Sequence, residues 1–159
     1  MTTPVRPGAA TARAPALTGA FAGGRYDLVG LATPRLGAPA PYTSSLVRDV
    51  DLAASAALPP WLAPPAALSA AGNRYAFAPS AGAALHVVAV VDAAGDPVWT
   101  ALVLDGAREV EPPAEVPLPA TPALVRVTGV DWPGFAPAAF RLDDLTVDLA
   151  RVAGAELRL

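Results

Sequence analysis

Few side chains in this 159-residue sequence have the chemistry of a catalytic or binding group. His86 is the single histidine and cysteine is absent, so disulfides, thiolate metal sites and most imidazole-based triads lack the residues to build them. His86 itself lies inside the β-branched run Leu85–Val91, where a structural, strand-borne imidazole is expected. Asp143, Asp144 and Asp148 offer the hard oxygen ligands that suit Ca²⁺, but they lack EF-hand spacing. An acidic turn before a strand is the plainer reading, and no metal or other cofactor is expected. The glycines of Gly19-Ala20-Phe21-Ala22-Gly23-Gly24 have neither the GxGxxG spacing nor the following helix of a phosphate loop, so turns or bulges explain them better. No carboxylate pair stands in a recognisable glycosidase context. No catalytic residue is assigned, and an enzyme is not expected.

The better functional lead is aromatic. Trp132 and Phe135, in Asp131-Trp132-Pro133-Gly134-Phe135, fall on a turn, and turns at the end of a β-domain carry recognition, with Trp favoured as an anchor. They are the candidate binding residues. The competing reading is that both rings fold back to cap the core. Trp61 and Trp99 are expected to pack in the core or its connector, because few other residues here are larger than Leu.

Such residues need elements to hold them, and composition bounds what those elements are. One domain of this length buries roughly 70% of the surface its unfolded chain exposes. The 53% hydrophobic content overstates the core, since Ala supplies much of it. All eleven basic residues are Arg, and they are scattered among fourteen acidic ones for a net charge of −3. That distribution has no basic stripe, so nucleic acid is not an expected partner, and the absence of Lys, Ile and Gln reads as GC-rich coding. The longest apolar stretch, 83–91, is about half of the roughly 20 residues a spanning helix needs, so no transmembrane segment is expected. Residues 1–17 lack the apolar core of a signal peptide, which implies a chain that is not exported or one whose signal has been removed.

Along the chain, residues 1–16 are rich in Pro, Ala and Thr and read as a flexible or extended arm, with too little apolar surface to offset the entropy of ordering. Residues 17–58 read as N-terminal strands, either added to the main sandwich or forming a small sheet. The loop 33–42 separates a Gly-interrupted strand, around Tyr26 to Leu31, from a partly alternating one at 45–52. Residues 59–65, with four prolines, form a stiff extended connector. The strongest signal is 85–104. Two β-branched runs flank Asp92-Ala93-Ala94-Gly95-Asp96-Pro97, which predicts a β-hairpin at the centre of a sheet. The Pro-rich 109–118 can be only an edge strand or loop, and 124–130 alternates as a strand with one drier face. Residues 140–159 fit helical and strand spacing alike, with Thr146 and Val147 favouring strand. Seven to nine short strands between Gly/Pro turns predict an all-β fold, an antiparallel β-sandwich with an extended N-terminal arm.

The order of features from Leu68 to about Val130 resembles a fibronectin type III-like, or immunoglobulin-like, β-sandwich of bacterial surface proteins. The residues that carry it are Tyr75-Ala76-Phe77-Ala78-Pro79-Ser80-Ala81-Gly82-Ala83, the strand Leu85–Val91, the Asp92-Ala93-Ala94-Gly95 turn, Val98-Trp99, Val116-Pro117-Leu118-Pro119 and 124–130. The strand before the Gly-Ala step carries Phe77 where the resemblance would place Trp. The chain also looks like lipoproteins of high-GC soil bacteria. This resemblance implies a sandwich over 66–159 and a non-enzymatic interaction or assembly module at the cell surface or in the extracellular space. Its partner would be another protein or another copy. Two alternatives remain open at this point: a subunit of a polymer, fibre or particle that adds its N-terminal arm to a neighbour's sheet, and a carbohydrate-binding module using Trp132 and Phe135.

Overall fold

The computed structural model describes residues 18–34, 40–51, 56–104, 106–119, 124–139 and 150–159. The expectations placed on the arm 1–16 and on Asp143, Asp144 and Asp148 lie outside them. The described residues form nine strands: β1 Tyr26–Ala32, β2 Tyr42–Val50, β3 Ala66–Ala71, β4 Arg74–Ala78, β5 Leu85–Val91, β6 Pro97–Val103, β7 Glu109–Val110, β8 Leu124–Asp131 and β9 Arg151–Arg158. Two single-turn 3₁₀ segments, Gly19–Phe21 and Pro137–Ala139, complete them. The strands make two antiparallel sheets, β1-β2-β9-β8-β5-β6 and β3-β4-β7. The fold is all-β, a β-sandwich.

Local chemistry accounts for the hairpins. Asp92 accepts the backbone N–H groups of Ala94 at 2.9 Å and Asp96 at 3.0 Å through Oδ1, while Gly95 takes the positive φ of 95° that closes the turn. β3 and β4 are joined by Gly72-Asn73, a two-residue hairpin turn.

The register stacks one face of the large sheet into rows. Trp99, Val90, Val125 and Leu157 align across β6, β5, β8 and β9; the next row is Ala101, Val88, Val127 and Ala155, and the next Val103, His86, Gly129 and Ala153. Over this face lies the small sheet, whose Tyr75 and Phe77 pack with Val88, Val90, Val103, Val125 and Val127 as the main core. A β-bulge in β6 sends both Val98 and Trp99 towards it. Burying these side chains is worth roughly 1.5 to 3 kcal/mol each.

The remaining half of that face, under β9, β2 and β1, is covered by the Pro-rich connector. Leu62 is buried within it, and the Pro60 carbonyl accepts from Arg151 Nη1 at 2.9 Å. Arg151 is itself held by Asp131 Oδ2, 2.6 Å from its Nε. Thus the stiff segment is a structural lid and not a spacer between domains. It has this role because prolines keep it extended, and an extended chain can lie flat on a sheet.

One expectation changes on contact with the structure, and two that were left open are resolved. The 85–104 hairpin is not central: β6 is an edge strand, because β1 and β2 extend the sheet from the opposite end through the β2–β9 pairing. That same pairing adds the described N-terminal strands to the large sheet, the first of the two arrangements left open for them. The C-terminal segment is strand over Arg151–Arg158, where β8 offers a full ladder from Leu124↔Arg158 to Asp131↔Arg151.

Candidate functional site

His86 lies on the inner face at the end of the main core, 5% exposed. Its Nε2 accepts the backbone N–H of Ser80 at 2.9 Å, and its ring meets Phe77 at a centroid distance of 5.4 Å. An imidazole accepting through Nε2 is neutral and carries its proton on Nδ1. Burial holds its pKa below the usual 6.5. The turn bearing Ser80 can press this close because residue 129 is glycine: a Cβ there would sit 2.6 Å from Ser80 Oγ. Ser80 Oγ is buried without a hydrogen-bond partner, as are Thr43 Oγ1 and Ser45 Oγ further along the same face. A serine and a histidine are therefore adjacent, but the basic nitrogen is already occupied by the serine's own backbone. The pair fastens a turn to a sheet and has no free lone pair with which to deprotonate the hydroxyl.

Trp132 and Phe135 come together on the opposite face of the large sheet. A tight turn, with Phe135 N–H donating to the Trp132 carbonyl at 3.1 Å, brings their rings to a centroid separation of 5.3 Å at 42°. Leu85, Val130 and Trp132 form a second buried cluster, against which Ala84, Val87, Leu104 and Phe135 pack. The Trp132 ring, at 8% exposure, is spent on packing. Phe135 keeps part of its surface. Sequence spacing put both aromatics on one turn; which way the rings face was decided by the apolar Leu85–Val130 pair beneath them.

Trp99 packs against the main core as expected, whereas Trp61 is 47% exposed. Its inner edge covers Gly30, where an added Cβ would lie 2.5 Å from both Trp61 Cη2 and Leu58 Cδ1. Trp61 therefore stands at the rim of the sheet beside β1. On the outer face of the same strand, Val29 and Leu31 are 70% and 65% exposed. Three of the five large hydrophobic residues exposed among the described residues thus border β1, one on its inner face and two on its outer face. Val29 also forms a wall of a shallow outer-face groove of about 220 Å³, with Leu46, Val152 and Arg48.

Edge strands are ordinarily blunted by charge, proline or bulges. β6 begins with Pro97 and carries a bulge, β7 is two residues long, and β3 has a register shift and a positive φ at Ala67. β1 has its irregularity only between Tyr26 and Leu28, where Asp27 accepts the N–H of bulged Asp49 at 3.3 Å. From Leu28 to Ala32 it runs in regular register with β2, from Leu28↔Val47 to Ala32↔Thr43, and bears no charge. Sequence reasoning recognised the strand but not its position at an edge. The one available signal was the pair of apolar residues at alternate positions on either side of a mid-strand glycine.

Among the described residues, no group of three or more His, Asp or Glu side chains is placed to hold a metal ion, and no helix is long and apolar enough to cross a membrane. Comparison with protein-family models, with curated proteins and with solved structures returned no match.

Proposed function

We propose that this protein is a non-enzymatic interaction or assembly module, and that its contact surface is the β1 edge, which pairs with no second strand among the described residues, with the adjoining outer face. The observation that carries the reading is the pairing of a regular strand edge, left without a neighbouring strand among the described residues, with solvent-exposed Val29 and Leu31. A bare edge offers main-chain hydrogen bonds, and the alternate side chains beside it add apolar contact, which is how an extended segment is recognised by strand addition. A fibronectin III-like sandwich over residues 66–159 belongs to the same reading. It is supported by strand order: β3, β4 and β7 occupy one sheet and β5, β8 and β9 the other, as the A, B, E and C, F, G strands do in immunoglobulin-type sandwiches.

The test is a display selection of random extended peptides against the immobilised protein. Peptides of alternating apolar pattern are expected to enrich and to lose binding to Leu31→Glu. Failure to enrich any peptide, or equal binding to both proteins, would overturn the proposal.

A further inference from the structure

We infer that the occupant of this edge is β1 of a second copy, paired antiparallel about a two-fold axis through Gly30. The inference rests on the contact-surface reading above and adds to it the identity of the partner. A symmetric dimer presents one patch to itself, so the patch must be self-complementary, and the β1 sequence is. With Gly30 opposite Gly30 of the other copy, Val29 falls opposite Leu31 and Leu31 opposite Val29, so each exposed apolar side chain meets an apolar partner and the pair is made twice by symmetry. Asp27, the sole charge in the strand, falls opposite Thr33 and far from its own counterpart. A register centred one residue earlier would instead set Asp27 against Leu31.

The inner face agrees. Gly30 contributes no side chain at the axis, and the half-exposed Trp61 that covers it borders the position its counterpart would occupy. Two six-stranded sheets would then run on as one, through main-chain hydrogen bonds between residues 28 and 32 of each copy. The opposite edge, β6, has only Leu102 among the exposed large hydrophobics, at 36%, and opens with a proline.

Sedimentation velocity over a wide concentration range tests this. The full chain is expected to form a dimer. Leu31→Glu and Val29→Glu, both at exposed positions and checked for folding by circular dichroism, should raise the dissociation constant by at least about tenfold. Leu102→Glu should leave it unchanged. Because the chain has no cysteine, the register is testable as well: mixed Val29→Cys and Leu31→Cys proteins should cross-link several-fold faster than either alone. A full chain that stays monomeric at every concentration overturns the inference. So does a dimer indifferent to both β1 variants, or one lost on removing residues 1–16 while Leu31→Glu has no effect. Monomers that still bind selected peptides at β1 would sink the self-pairing alone, whereas loss of peptide binding would remove the contact surface itself.

Discussion

The His86 ring is neutral in the folded protein because its Nε2 lone pair is engaged by Ser80 and its surroundings are apolar. Protonation would break that hydrogen bond and bury a charge. The sign of the resulting pH dependence follows from linkage: a histidine whose folded pKa is lowered binds fewer protons than it does unfolded, so stability rises with pH across that window. Its contribution is intact above about pH 6.5 and is lost progressively as the pH falls below that value. Since His86 is the only histidine, thermal unfolding between pH 7 and 5 reports chiefly on it. The midpoint should drop on acidification, and the drop should shrink in His86→Phe whatever that variant does to stability at pH 7. An unchanged slope would show that His86 does not titrate against folding. At this scale the sequence placed His86 in a strand correctly, but its partner is a backbone N–H six residues upstream, on a turn that bends back only because Gly129 leaves room.

At the scale of elements, β5 shows how a pleated strand sorts its side chains. Val88 and Val90 are fully buried under Tyr75 and Phe77, while Ala89 between them points to the outer face and pairs with Arg126. An aspartate at 88 or 90 would be an unpaired buried charge, costing about 3 to 5 kcal/mol. At 89 it would face Arg126, and the change should remain within about 1 kcal/mol. Urea denaturation of the three variants separates these outcomes, and equal tolerance would contradict the inward assignment. The alternation of 124–130 was legible for the same reason, as Val125 and Val127 meet Val90 and Val88 across the ladder. What alternation could not convey was sheet order. β6 reads in sequence as strongly as β5, yet it is a border strand.

The large sheet as a whole is wider than its covering sheet, and the connector makes up the difference. Leu62, 1% exposed, anchors that cover, while Trp61 beside it stands half in solvent. Leu62→Ala should therefore destabilise the protein by about 2 to 5 kcal/mol in chemical denaturation, and Trp61→Ala by less. Comparable small losses at both positions would mean that the connector is not part of the core. Arg151 ties the cover down by reaching Pro60 from β9 while bound to Asp131, a link that joins residues 91 positions apart.

The sequence by itself determined the all-β class, most strand positions, the hairpin turn at Asp92–Gly95 and the absence of a cysteine or multi-histidine site. These follow from near-neighbour properties, namely the two-residue repeat of a pleated strand, the backbone freedom of glycine and the fixed φ of proline. Only the tertiary structure decided which strands are edges, that the Pro-rich connector lies on the sheet, that Trp132 packs onto the outer face of the large sheet, and that Val29 and Leu31 are left exposed on a strand that is an edge among the described residues. Each of those depends on which strand lies next to which, and strand order is set by contacts between residues far apart in the chain.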